Sequence, residues 1–177
     1  MSDTITVVAV DDHAIVLDGI QGRLSSINTI DVVAVGKRGK DVIPLVEEYR
    51  PDILLLDMGM PVDDIEENRF EAIAAIEQIT RDFPATKIIV LSQTTEPILV
   101  KAAIQAGVKG YVDKLDLNSS TNLPDAINII HRGSIYLSSS VHQKLSGDPA
   151  RSPIELTNRQ FLVLLAIASN PNAASKE

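Results

Sequence analysis

The chain has 177 residues, no cysteine and a formal net charge of −8, and 45% of its residues are hydrophobic. This length suits one domain with an appendage or two small domains, because single domains mostly span about 100–150 residues. The lack of cysteine excludes disulfide scaffolds and thiolate metal sites. Residues 1–133 hold 21 Asp and Glu against 12 Lys and Arg, which argues against non-specific binding of this part to nucleic acid or anionic lipid.

The amino terminus has no basic leader before its first apolar stretch, so it does not resemble a secretory signal. Apolar runs stay well short of the roughly 18 residues that a membrane helix needs. We therefore expect a soluble, cytoplasmic protein without a membrane partner.

Short β-branched runs alternate with longer segments of helical spacing between residues 4 and 132. Such alternation is typical of a parallel sheet with helices on both faces. The sequence thus predicts the α/β class, with a flavodoxin-like, doubly wound, five-stranded parallel sheet in the order 2-1-3-4-5. The predicted strands are Thr4–Val10, Ile30–Val35, Ile53–Leu56, Ile88–Leu91 and Gly110–Val112.

The composition changes after the fifth predicted helix. Serine, glycine and proline are frequent between Ser138 and Glu155, which indicates a linker, with one short helix predicted at Val141–Leu145. Thr157 and Gln160 then have the spacing of a capping box, so a new helix is predicted to begin there. One helix cannot bury its own apolar stripe, so this predicted helix needs a packing partner.

Acidic residues follow the first and third predicted strands, at Asp11, Asp12 and Asp57. In the flavodoxin-like order the carboxyl ends of these strands are neighbours, so the three carboxylates are expected to converge. Crowded carboxylates repel one another unless a cation lies among them, and their oxygens suit Mg²⁺. Capping of the first helix is the alternative for Asp11 and Asp12 alone, and the matching position of Asp57 makes it less favoured.

Ser92 ends the fourth predicted strand, and Lys114 follows the fifth. A hydroxyl and an ammonium group can both contact phosphoryl oxygens. With a metal ion, they predict phosphoryl transfer in which Asp57 is the nucleophile and forms an acyl phosphate. The alternatives are a helix cap for Ser92 and a solvated lysine for Lys114.

Four segments, taken together and in order, resemble a response-regulator receiver domain. The resemblance implies that a sensor histidine kinase phosphorylates Asp57. The segments are Val8–His13, Leu55–Pro61, Val90–Ser92 and Ala106–Lys114.

The same resemblance implies roles for the surrounding residues. Mg²⁺ would be held by Asp12, by Asp57 and by the carbonyl of Gly59, with Asp11 alongside. The other roles implied are a switch hydroxyl at Ser92, an aromatic side chain at Tyr111 whose rotamer follows it, and a phosphate-pairing lysine at Lys114.

The rest of the chain is similar to NarL/FixJ-type transcription regulators. Gly133–Ser138 resembles their linker, and Leu156–Gln160 with the following helix resembles the opening of a LuxR-type helix-turn-helix. The resemblance implies DNA binding only in a longer native form, and a homodimer on phosphorylation. The implied parts are a receiver domain over 1–133, a linker over 134–155, and a truncated DNA-binding domain over 156–177.

The segment Val62–Arg69 departs from the family pattern because it is longer and carries added acids. An extra cation or a partner could use these acids, but a solvated loop tip is favoured. His13, where the first helix begins, is interpreted as a surface or capping residue.

Two alternatives to the phosphorylation switch remain. One is a small Mg²⁺-dependent phosphatase with an aspartyl nucleophile, but haloacid-dehalogenase-type enzymes have a second acid where this chain has Gly59. The other is a receiver that acts only as an interaction module, without phosphorylation. We expect no enzyme activity beyond assistance to the protein's own aspartyl phosphorylation and dephosphorylation.

Overall fold

The computed structural model describes residues 4–65, 69–118, 122–146, 154–157 and 159–163. Within these ranges, seven strands form one sheet in the order β2-β1-β3-β4-β5-β6-β7. Strands β1 to β6 run parallel and β7 runs antiparallel to β6. The strands are β1 (Ile5–Val10), β2 (Ile30–Gly36), β3 (Ile53–Asp57), β4 (Lys87–Ser92), β5 (Gly110–Asp113), β6 (Ile135–Leu137) and β7 (Ile154–Leu156).

Helices cover both faces of this sheet, as the alternating pattern predicted. Side chains of α1 and α5 pack with one set of strand residues, and those of α2, α3, α4 and α6 pack with the other set. The doubly wound α/β architecture is therefore confirmed. The helices are α1 (Ala14–Leu24), α2 (Val42–Tyr49), α3 (Ala72–Asp82), α4 (Pro97–Gln105), α5 (Leu123–His131) and α6 (Ser139–Ser146). None of the helices in the described ranges is long and apolar enough to cross a bilayer.

The register of the central strands brings their polar ends to one edge of the sheet. Asp57 pairs with Leu91 across β3 and β4, and Ser92 pairs with Asp113 across β4 and β5. Every residue of β3 is buried, because a parallel strand covered on both faces is apolar along its length. The polar group of β3, Asp57, therefore occurs only at the carboxyl end of the strand.

The five predicted strands are present in the predicted order, but the predicted count of five was too low. Strands β6 and β7 have three residues each, which is too short to give a recognisable pattern in the sequence. Both lie in or at the end of residues 134–155, predicted as a linker, so this segment extends the sheet. The short helix predicted at Val141–Leu145 lies inside α6.

The capping box predicted after the linker is present. The Gln160 amide donates to the Thr157 hydroxyl at 3.3 Å, and the Thr157 amide donates to the Gln160 side-chain oxygen at 3.0 Å. Phe161, in the helical turn 159–163, is buried and belongs to the apolar cluster that includes Val141 and Leu145. The described start of this helix thus packs into the same core as α6. The rest of the predicted helix lies outside the described residues.

The close packing of Gly107, which follows α4, against Thr80 can be tested by substitution. Its φ is +118°, and a Cβ built there would lie 2.4 Å from the Thr80 hydroxyl oxygen. We expect Gly107→Ala to lower the free energy of unfolding by about 1–3 kcal/mol, through backbone strain and the clash. Denaturant unfolding measures this change.

Gly22 is the matched control, because it lies in α1 and a Cβ there would meet nothing within 4 Å. Gly22→Ala should raise the free energy of unfolding by about 0.5–1 kcal/mol. A Gly107→Ala protein as stable as the wild type would contradict the expected strain.

Candidate functional site

The carboxyl edge of the sheet collects the residues that the sequence singled out. Asp11 directly follows β1, Asp57 ends β3, Ser92 ends β4 and Lys114 directly follows β5. All four are buried, with exposed fractions between 1% and 9%. Buried polar groups need partners within the protein, so the contacts among them define the site.

Lys114 is the cation of this cluster. Its Nζ lies 2.7 Å from Asp11 Oδ2 and 2.8 Å from Asp57 Oδ2. Burial alone would lower the pKa of Lys114, but the hydrogen bonds and charges of Asp11 and Asp57 together raise this pKa above its ordinary value. Lys114 is therefore a charged, buried side chain, and the solvated-lysine alternative is wrong.

Asp57 is held on both of its carboxylate oxygens. Oδ2 contacts Lys114, and Oδ1 accepts the backbone N–H of Gly59 at 2.9 Å. These contacts fix the carboxyl plane at the end of β3. Gly59 itself is exposed, and the contact of its N–H with Asp57 Oδ1 places this residue beside the acids.

Asp12 and His13 complete the acidic cluster. Carboxylate oxygens of Asp11, Asp12 and Asp57 and a ring nitrogen of His13 all lie within 4.8 Å of one another. His13 is the N-cap residue of α1, but its side chain makes no capping bond. Instead, its Nδ1 lies 2.8 Å from Asp12 Oδ1 and 3.2 Å from Asp11 Oδ1. A surface position is confirmed for His13, and a capping role of its side chain is not.

This donor set fits a hard divalent cation. Asp12 Oδ1 is buried and accepts no hydrogen bond from the described part of the chain, although the His13 ring, which is charged only when protonated, lies 2.8 Å away. Carboxylate and carbonyl oxygens are the ligands that Mg²⁺ prefers. An acidic pocket of the kind that receiver domains use for Mg²⁺ is therefore present, formed by Asp11, Asp12 and Asp57.

Ser92 and Tyr111 both contact Thr94, in the loop between β4 and α4. The Thr94 amide donates to the Ser92 hydroxyl at 3.0 Å, and the Tyr111 phenol donates to the Thr94 carbonyl at 2.7 Å. Tyr111 is fully buried, and burial raises the pKa of its phenol while the nearby Ser92 hydroxyl opposes the change. The N-cap of α4 is Glu96, so the helix-cap alternative for Ser92 is wrong.

Sequence reasoning missed a second polar group behind Lys114. The Asp113 amide donates to Ser138 Oγ at 3.1 Å, and the Ser140 hydroxyl contacts Asp113 Oδ2 at 3.0 Å. Asp113 also accepts the Leu115 amide at 2.9 Å. The position of Asp113 directly before Lys114 could have marked it as a site residue. Nothing in the local sequence pointed to Ser138 or Ser140, because they lie in the segment interpreted as a linker.

The first part of the acidic segment Val62–Arg69 is docked beside the site. The Gly39 and Lys40 amides donate to the Pro61 and Val62 carbonyls at 2.9 and 2.8 Å. Arg38 Nε contacts Asp64 Oδ1 at 3.3 Å, yet the Asp64 side chain is 81% exposed. The backbone at Pro61 and Val62 is thus bound to the protein, whereas the Asp64 side chain that follows is solvated. Glu66 and Glu67 lie outside the described residues, so the predicted loop tip is described only in part.

Comparison with known proteins agrees with this geometry. Residues 7–127 match the response regulator receiver domain family. The chain is 34% identical over 177 residues to the response regulator protein VraR of Staphylococcus saprophyticus, an alignment that covers 97% of this chain and 80% of VraR.

Solved structures show the same fold. The isolated receiver domain of RcsB from Salmonella enterica serovar Typhimurium, with the phosphomimetic BeF₃⁻, superposes with a TM-score of 0.68 at 29% identity. This match covers 80% of the present chain and 99% of the RcsB domain. A structure of two RcsB dimers bound to two parallel DNAs gives a TM-score of 0.69 at 29% identity, covering 81% of this chain and 68% of the RcsB chain.

The acids at the ends of β1 and β3, the lysine after β5 and the family match over most of the chain lead to one assignment. The chain belongs to the response regulators of two-component phosphorelays, and residues 7–127 match their receiver domain.

Proposed function

We propose that Asp57 of this response regulator accepts a phosphoryl group from a sensor histidine kinase and that the modified site controls transcription. The observation that carries the proposal is the contact of Asp57 Oδ2 with Lys114 Nζ at 2.8 Å, at the end of a buried strand. A carboxylate held in this way is an oriented nucleophile, and the ammonium group is in place for the oxygens of an incoming phosphoryl group.

The transfer forms one bond and breaks another. A carboxylate oxygen of Asp57 attacks the phosphorus of the kinase phosphohistidine, the phosphorus–nitrogen bond breaks, and the imidazole leaves with the electron pair. Lys114 then pairs with the phosphoryl oxygens. Asp11, Asp12, Asp57 and the Gly59 carbonyl would hold Mg²⁺, which when bound neutralises charge on the acids and on the phosphoryl group.

The phosphatase alternative requires a proton donor for the leaving group. The family of such enzymes has an acid two positions after the nucleophile, and Gly59 occupies that position here. The proposal is therefore a phosphoprotein switch that is not an enzyme toward other substrates. An interaction module without phosphorylation would keep the Lys114–Asp57 ion pair for stability alone, and it predicts that Asp57 is not labelled in the experiment below.

The output of the switch involves Ser92 and Tyr111. A phosphoryl group on Asp57 offers the Ser92 hydroxyl a new acceptor, and both Ser92 and Tyr111 contact Thr94. Such a change biases a two-state equilibrium. By analogy with the RcsB dimers on DNA, we include homodimer formation on phosphorylation and DNA binding by a longer native form in the proposal. A cytoplasmic location fits this role.

Phosphorylation of Asp57 can be tested directly. With MgCl₂ and a small phosphoryl donor, intact-protein mass spectrometry should show addition of a single phosphoryl group to the wild type and none to Asp57→Asn. Asp31→Asn is the matched control, because Asp31 is exposed on β2, and it should be labelled like the wild type. Labelling that persists in Asp57→Asn would contradict the assignment of Asp57 as the phosphorylated residue. Release of many phosphate ions per protein molecule would favour the phosphatase.

Binding of Mg²⁺ should stabilise the folded protein. At a concentration about 100 times the dissociation constant, a ligand specific to the folded state adds about 2.7 kcal/mol to the free energy of unfolding. Asp12→Asn should lose most of this gain, and the exposed α1 control Asp18→Asn should keep it. Thermal unfolding with and without MgCl₂, or with EDTA, measures the effect. Equal gains in the two variants would contradict the assigned ligand set.

Removal of Lys114 should destabilise the metal-free protein. Lys114→Met leaves buried carboxylates without their cation, a loss of about 3–5 kcal/mol in the free energy of unfolding at neutral pH. Because the pKa of Lys114 is raised on folding, the difference between wild type and variant should be complete below the ordinary pKa of 10.5. It should shrink as pH rises through the folded-state pKa. Denaturant unfolding across this pH range measures it, and a variant of unchanged stability would contradict the buried ion pair.

A further inference from the structure

Helix α6 touches both loops that carry the groups facing Asp57. It packs against β5 and α4. The loop after β5 carries Lys114, and the loop between β4 and α4 follows Ser92. The two loops are also joined to each other, because the Lys114 amide donates to the Ser92 carbonyl at 2.9 Å. A movement of Lys114 or Ser92 would therefore change the loops that contact α6.

The first contact lies at the amino end of α6. The Ser140 hydroxyl is 3.0 Å from Asp113 Oδ2 and 2.8 Å from Asp116 Oδ2, and the Ser140 amide donates to Asp116 Oδ2 at 3.1 Å. Carboxylates at the amino end of a helix are favoured by the helix dipole and by its unpaired amides. The loop that holds Lys114 thus supplies the cap of α6.

This contact reaches the phosphorylation site through one peptide unit. Asp113 is buried and directly precedes Lys114, whose ammonium group contacts Asp57. The Asp113 backbone and side chain are bound to Ser138 and Ser140. The side chain of the next residue, Lys114, is bound to Asp57. A shift of the Lys114 backbone toward phosphoryl oxygens would therefore move groups that are bonded to Ser138 and Ser140.

The second contact lies near the carboxyl end of α6. The Lys144 ammonium group donates to the hydroxyl of Thr95, a buried residue in the loop between β4 and α4. Thr95 directly follows Thr94, which is bound by both Ser92 and Tyr111. The loop that changes when the Ser92 hydroxyl turns to a phosphoryl group is thus attached to α6 as well.

We infer that α6 senses phosphorylation of Asp57, with Ser140 and Lys144 as positioning residues that hold the two loops in their unphosphorylated arrangement. The inference rests on the proposed function, since it needs a phosphoryl group on Asp57. That group draws Lys114 Nζ from Asp57 Oδ2 to the phosphoryl oxygens, and it gives the Ser92 hydroxyl a new acceptor. Both changes oppose the arrangement in which the loops are bonded to α6.

Loosening of α6 is transmitted to the residues that follow it. Val141 and Leu145 of α6 and Phe161 of the helical turn 159–163 belong to one apolar cluster. Phe161 is only 3% exposed, so it is packed in the same core as α6. A change in the packing of α6 therefore also alters the core in which Phe161 lies.

Coupling between two sites is reciprocal, which gives the test. If α6 restrains the loops, removal of its contacts should make binding of a phosphoryl mimic easier. Beryllofluoride with MgCl₂ is the probe, titrated against the wild type, Ser140→Ala, Lys144→Met and the control Ser139→Ala. Ser139 is the neighbouring, half-buried serine of α6. Amide hydrogen exchange of residues 139–146 in the wild type is measured with and without beryllofluoride.

We expect Ser140→Ala to bind beryllofluoride about five-fold more tightly or better, Lys144→Met to change in the same direction, and Ser139→Ala to match the wild type. Exchange in α6 of the wild type should become faster on binding. Unchanged or weaker affinity in Ser140→Ala, or unchanged exchange, would overturn the role of α6 while phosphorylation of Asp57 still stands. A wild type that neither binds beryllofluoride nor is phosphorylated would overturn the proposed function, and this inference with it. If Ser140→Ala does not fold, the wild-type exchange measurement alone decides.

Discussion

Repulsion among Asp11, Asp12 and Asp57 is the constraint on which the site depends. The parallel strands β1 and β3 end side by side, so their acids cannot separate without breaking the sheet. One buried ammonium group, that of Lys114, offsets part of this repulsion, and the remainder favours a divalent cation. The same charge distribution that makes the metal-free site costly to fold makes it receptive to Mg²⁺ and to an electrophilic phosphorus.

The sheet and the loops after β4 and β5 have different roles at the site. Backbone pairing of β3, β4 and β5 fixes the positions of Asp57 and Ser92. The loops after β4 and β5 are instead held by a few hydrogen bonds. Small changes at Asp57 can therefore alter the loops without disturbing the core, because packed interiors resist deformation and loops do not. Thr94 and Asp113 are the points at which these loops join the site to its surroundings.

The sequence was sufficient for the parts of the molecule whose chemistry is local. The first five strands were predictable because each is a short, mainly apolar run, and Asp57 and Lys114 were predictable because they stand at the ends of such runs. The contacts of α6 were not, because Ser140 and Asp113 are 27 positions apart and Lys144 and Thr95 are 49 apart. Neither pair has a periodic pattern that marks it. Strand β6 escaped prediction because three residues beside β5 gain their order from the sheet.

Strand β7 has a further consequence for how molecules meet. It is antiparallel to β6 and covers that strand's outer edge, where unpaired backbone N–H and C=O groups would otherwise be open to another chain. Its own three residues leave little edge for a second molecule to extend. Since β7 follows α6 in the chain, a release of α6 that also detached β7 would uncover the edge of β6. A switch of this kind would then have to compete with strand exchange between molecules, in which one copy's β7 pairs with another copy's β6.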